Sequence, residues 1–251
     1  MQEGMLAGII VFFASMLQAM TGFGFAIVAT PLLLMVYNSR DCIQISILVS
    51  LFIAALLVPK IIKHCDYDML RRFAAGSLLG VPAGLVFFSM ISMTLLKTTV
   101  SIVILGLALF SCLCLYQNRH STGSSVEDAN RPPRKLTELL VGLGAGALTA
   151  GIGMPGVPLA VYFSVANTAK AVVRSTTLTF FIFVYIASIL AQLATVGIES
   201  KVVLNSLLLL PCAAAGVALG HRLFFWINQQ RFVLLTNGIL IYTALHMLLR
   251  N

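Results

Sequence analysis

Two stretches of this chain, residues 4–39 and 139–169, carry no charged side chain and are too long for one membrane crossing. As straight helices they would measure about 46–54 Å, against a hydrocarbon core of about 30 Å. Each must therefore break, and each holds glycine and proline at its middle. The first contains Thr21-Gly22-Phe23-Gly24, followed by Pro31-Leu32-Leu33. The second contains Ala150-Gly151-Ile152-Gly153-Met154-Pro155-Gly156, followed by Pro158-Leu159. Glycine is the residue for such a break, because it has no Cβ to forbid left-handed backbone. Inside a membrane, irregular backbone survives only where it is buried in protein or lines a wet cavity. Interrupted apolar segments at corresponding positions of two halves point to the substrate site of a carrier.

Composition sets the class. Hydrophobic residues make up 59% of the 251 and charged residues 10%, with mean hydropathy +1.00; a soluble domain holds about 25% charged residues. The reading is an all-α polytopic membrane protein, since no segment alternates as a β-barrel strand does. The formal charge of +8 comes from Lys and Arg at the ends of apolar runs, with no dense basic tract. They read as topology determinants, and a nucleic-acid partner is not expected. The five cysteines form no CxxC pair, and the four histidines lie far apart. No metal, cofactor or disulfide framework is expected.

Eight uncharged runs divide the chain, four on each side of a hydrophilic connection over 117–136. The expected organisation is an N-terminal repeat over 1–116 and a C-terminal repeat over 137–251, each with its first helix broken. The third runs also match, Ala74-Ala75-Gly76-(x3)-Gly80 against Ala214-Ala215-Gly216-(x3)-Gly220. Small residues at every fourth position let membrane helices pack closely. If each long run crosses once, Lys and Arg divide 10 to 6 between the two sides; if each dips in and returns, they divide 12 to 4. The second split follows the positive-inside rule better and makes the halves inverted repeats. It places both chain ends outside and the connection in the cytoplasm. Trp226, between Arg222 and Arg231, reads as an interfacial anchor.

All eight acidic residues fall in loops or at span ends. A carboxylate at mid-membrane is the mark of a proton relay or cation site, so this pattern speaks against a cation carrier and against proton coupling through a buried acid. No Ser-His-Asp, HExxH or paired-carboxylate constellation appears, and an enzyme is not expected. What stands near the breaks is neutral or positive. Gln18, Thr21 and Thr149 flank the glycines; Gln44, Ser46 and Ser50 follow the first break; Arg174, Ser175, Thr176 and Thr177 follow the second. Free N–H groups at half-helix N-termini favour an anion, which hydroxyls and an arginine can complete. Arg174 has two readings: a topology charge beside Lys170, or part of the anion path. Phe180, Phe181, Phe183 and Tyr185 read as packing.

These residues resemble the TauE/SafE family of membrane anion exporters. The likeness rests on residues 21–34 and 150–163, and is strengthened by Val172-Val173-Arg174-Ser175-Thr176-Thr177 and the glycine-spaced third helices. It implies export of sulfite or small organosulfur anions, with Gly22, Gly24, Gly151, Gly153, Gly156, Pro31 and Pro158 shaping the site. The chain departs from the fuller GxGGG form of many relatives, with Phe25 and Ala26 in one copy and Met154 and Pro155 in the other. The expected substrate-binding set is Thr21, Gly22, Gly24, Gln44, Ser46, Thr149, Gly151, Gly153, Gly156, Arg174 and Thr176, with helix breaks at Pro31, Pro155 and Pro158. Export driven by membrane potential is the expected mode, with import or a channel for the same anions as alternatives. The expected partners are a small anion and the lipid bilayer of a bacterial inner membrane; self-association is left open.

Overall fold

A computed structural model describes residues 2–120, 135–166, 168–223 and 229–249. Most of the expected connection, Trp226 and Arg250 fall outside these residues. The described chain is helical, in the order α1 (Gln2–Thr21), α2 (Phe25–Tyr37), α3 (Asp41–Ile61), α4 (Tyr67–Met90), α5 (Met93–His120), α6 (Lys135–Ile152), α7 (Gly156–Val165), α8 (Lys170–Thr195), α9 (Ser200–Leu223) and α10 (Gln229–Leu249). Seven of these helices are long and apolar enough to cross a membrane. Large apolar side chains such as Leu79, Met90 and Leu208 point outward, whereas serines, threonines and glutamines are buried between helices. That is the arrangement of a multi-pass membrane protein, with lipid as its solvent.

Backbone contact at small residues sets the helix directions. A Cβ on Gly76, Gly80 or Gly84 of α4 would meet the carbonyl of Leu139, Leu143 or Ala147 of α6. Gly142 and Gly146 answer from α6, against Phe73 and Ser77. The numbers rise together, so α4 and α6 are parallel. In the same way Gly216 and Gly220 of α9 lie on Phe12 and Met16 of α1, and Gly8 of α1 lies on Cys212. Between α3 and α8 the order reverses: Gln44 Nε2 donates to Gly197 O at 3.0 Å, and Ser175 Oγ donates to Ile61 O at 2.7 Å. The Asp66 N–H donates to Thr176 Oγ1 at 3.0 Å and the Phe73 and Phe180 rings stack edge-on, which sets α4 parallel to α8. Lys201 joins Asp41 where α3 and α9 both begin. Helices α1, α3 and α9 thus run one way, and α4, α6 and α8 the other.

The two long runs fold back on themselves. Tyr162 Oη donates to Glu138 at 3.0 Å, while Pro158 packs on Gly144, so α7 descends antiparallel along α6. Tyr37, ending α2, is within electrostatic reach of Glu3, beginning α1. Each hairpin pairs an arm of about 27–30 Å with a shorter one of about 15–20 Å.

Lys97, the charge that separates the third and fourth uncharged runs, lies inside α5, and the helices divide at Ile91–Ser92. Two sequence expectations are corrected here. The third helices match one turn away from the motif alignment, Gly80 with Gly216 and Gly84 with Gly220, because partner carbonyls fix the register. Pro31 is no break: α2 continues across it, as membrane helices allow when neighbours support the interrupted turn.

Candidate functional site

Helix α1 ends at the first glycine that can end it. The Gly22 N–H still donates to Gln18 O, but Gly22 itself is left-handed at φ 91°, a conformation that costs other residues their Cβ clearance. Thr21 Oγ1 donates back to Leu17 O at 2.9 Å and accepts from the Phe23 N–H. Gly24 lies so close to Leu17 that a Cβ there would clash. The second break repeats this chemistry. The Gly153 N–H donates to Thr149 O, Gly153 is left-handed at φ 75°, and the Met154 N–H closes the end on Leu148 O. Pro155 stands before α7 as its cap and Pro158 lies in its first turn, where a missing N–H does no harm.

The two breaks meet. A Cβ on Gly156 would lie 3.1 Å from Phe23 O and 3.5 Å from the Phe181 ring. The N-terminal ends of α2 and α7, each with unpaired N–H groups in its first turn, are thereby brought together between α3 and α8. Phe25 and Met154 are fully buried beside them.

Helix α8 serves both breaks from opposite ends. The Arg174 guanidinium donates to Ala19 O at 2.6 Å, and its stem packs on Gly22. Gln192 Nε2 donates to Ala150 O at 3.1 Å. Ala19 and Ala150 hold the same place before their breaks. The residue against Gly153 that corresponds to Arg174 is Ile43.

The expected site residues thus separate into groups. Gly22, Gly156 and Arg174 lie at or beside the meeting point, whereas Gly24 rests on Leu17 of α1 and Gly153 on Ile43 and Ile47 of α3. Thr149 donates to Ala145 O within its own helix, Gln44 holds the end of α8, and Thr176 tethers the start of α4. Gly151 faces Gly84 and Phe87, beside an apolar recess of about 280 Å³ between α4, α5 and α6. Ser46 and Thr177 are buried with no partner for their hydroxyls.

Sequence reasoning missed Gln192, Ser188 and Glu138. Glu138 corrects the expectation of no buried carboxylate: it is fully buried, paired with Arg72 of α4 and bonded by Tyr162 of α7. Its position at a span end hid this, since burial there comes from the returning arm α7. The aromatic cluster packs as expected, with Phe180, Phe181 and Tyr185 in the core and Phe183 facing outward.

An all-helical multi-pass architecture with two hairpins meeting inside it defines a membrane transport protein by class. The model of the sulfite exporter TauE/SafE family matches residues 7–247, and the chain belongs to that family of transporters. Neither the curated proteins nor the solved structures compared with it give a match.

Proposed function

We propose that this chain exports small sulfur-containing anions, sulfite or sulfonates, from a site where the two breaks meet. One observation carries the reading. The N-terminal ends of α2 and α7 meet at Phe23 and Gly156, where a Cβ on Gly156 would lie 3.1 Å from Phe23 O, with the Arg174 guanidinium beside the adjoining Gly22. Convergent N–H groups stabilise negative charge, and the guanidinium adds a full positive charge where water is scarce. Gln18 Nε2 and Thr177 Oγ1, both buried with no partner among the described residues, supply further donors on that side.

The opposed helix directions support an inverted repeat, with α1–α5 and α6–α10 as its units. Alternating access is then a rocking of one unit against the other. An inside-negative potential assists a departing anion by about 2.3 kcal/mol per charge per 100 mV. The Lys and Arg distribution supports a cytoplasmic position for the beginning of α8, and so for Arg174, in a bacterial cell membrane.

The test is direct. Purified protein is titrated with sulfite, sulfate, thiosulfate and sulfoacetate, reading melting temperature for wild type and Arg174→Ala. A rise with one sulfur anion, lost in the variant, is the expected result. Export from proteoliposomes should also slow when the potential is collapsed; an unchanged rate removes the potential as driving force.

A further inference from the structure

The two breaks are served by different chemistry, and the difference points to a second site. At the first, the protein sets its own cation, Arg174, on the Ala19 carbonyl at the C-terminal end of α1. At the second, the corresponding carbonyl of Ala150 receives the neutral amide of Gln192. A carbonyl only accepts, so the amide nitrogen must face Ala150 and Oε1 must point away. That Oε1 is buried without a partner among the described residues. The same holds for Ser188 Oγ, one turn earlier on α8, and for Ser46 Oγ on α3.

These three oxygens share one interface. Gly153 rests on Ile43 and Ile47 of α3, so Ser46 and Ser50 lie on the stripe of α3 that faces the end of α6. Tyr185, Ser188 and Gln192, all buried, form the facing stripe of α8, which the Gln44–Gly197 and Ser175–Ile61 bonds hold antiparallel to α3. Among the other buried hydroxyls, those of Thr30, Ser50, Ser101 and Thr177 have no partner among the described residues, whereas those of Ser15, Thr149 and Ser206 donate to the carbonyl four residues back in their own helix. Ser46 and Ser188 forgo that bond and leave their oxygens to the interface. An unsatisfied buried polar atom is destabilising, and three together call for an occupant.

We infer that these oxygens form a sodium site, from Ser46 Oγ, Ser188 Oγ, Gln192 Oε1 and the last carbonyls of α6. Every donor is a hard oxygen, which suits a hard cation. None is a carboxylate, which favours a monovalent ion over calcium or magnesium. The C-terminal end of a helix attracts positive charge, and in broken-helix carriers such ends and unwound carbonyls take the sodium ion. An anion there would face Gln192 Oε1 and the negative end of α6. Sodium stands at the second break as Arg174 stands at the first, one charge exchangeable and the other fixed. The inference does not depend on which anion is carried.

The full chain in detergent tests it, in choline chloride at constant ionic strength with sodium or potassium replacing choline. Sodium should raise the melting temperature saturably, with potassium giving no comparable rise. Ser188→Ala and Ser46→Ala, small enough to keep the fold, should each move the sodium midpoint upward by about tenfold, the loss of one ligand. Ser206→Ala, whose hydroxyl bonds its own helix, should leave it unchanged. No sodium-specific rise in wild type, or equal midpoints in all four proteins, overturns the site. A sulfonate titration in choline alone reads the anion site separately: a response to anion without one to sodium refutes only the cation, and the reverse refutes only the anion.

Discussion

The two breaks share a backbone and differ in their side chains. Each ends a helix on a left-handed glycine, Gly22 or Gly153, and each exposes the carbonyl of an alanine three residues earlier. Against the first lies Arg174, and against the second lies Ile43. Backbone geometry repeats because any overlong apolar run needs the same left-handed exit. Side chains diverge because the carbonyls before the two breaks meet α8 at different points, Ala19 at Arg174 and Ala150 at Gln192. The second hairpin is also tied more firmly, since Glu138 of α6 joins Arg72 and Tyr162. The fully buried Ala7 fills the matching place in α1. One hairpin holds the charge at its tip, and the other holds it at its root.

The largest expected effect breaks the packing common to both halves. Gly80→Val and Gly216→Val each push a side chain into a partner backbone and should cost more than about 4 kcal/mol, leaving little monodisperse protein by size exclusion. Gly80→Val should be the worse, because a Cβ on Gly80 would lie closer to the Leu143 carbonyl than one on Gly216 to Phe12 O, and Gly142 and Gly146 press back from α6. Gly106→Val, with nothing within 4 Å, should be tolerated.

Next comes the root of the second hairpin. Glu138→Ala strands Arg72, a loss on the scale of about 3–5 kcal/mol for a buried pair, reduced because Arg72 keeps 24% of its side chain exposed. Thermal melts should show the drop, and Glu138→Gln should recover part of it by keeping the Tyr162 bond. Arg174→Gln gives the first break the neutral donor of the second. Anion affinity should fall at least about tenfold, the value of one charge-assisted hydrogen bond, with a smaller change in melting temperature.

The smallest effects compare the tips themselves. Gly22→Ala and Gly153→Ala each place a Cβ on left-handed backbone, at about 1–2 kcal/mol. Gly22→Ala should lose more stability, because its Cβ would lie 3.0 Å from Arg174 Cγ, against 3.4 Å from Ile43 at the other break. Equal losses would mean that the neighbours yield freely and backbone strain alone matters.

Much of the scaffold was legible in residue order. The uncharged runs 4–39 and 139–169 announce their breaks through length, and Gly22 and Gly153 mark them because left-handed backbone is a local requirement. Charge distribution favoured hairpins that return to their own side. The site was legible only in part. Arg174 could be named from its position in an apolar region, but not its bond to Ala19, a carbonyl in the other half. Gln192 gave no signal, since an amide in a long helix looks like any other until the end of α6 stands beside it. Glu138 looked like a boundary charge because α7, which buries it, returns from the break. The glycine motifs of α4 and α9 were visible, yet their register was not, since partner carbonyls on α6 and α1 select which glycine meets which.

By itself, then, the sequence determined the helical membrane class, the two broken runs and the glycines that end their helices. These follow from apolar length and backbone sterics, which act along the chain. Only the tertiary structure decided that the breaks meet, that α8 caps both of them, and which buried oxygens are left without partners. Those outcomes depend on helices distant in sequence, and close packing makes them specific at the scale of single atoms.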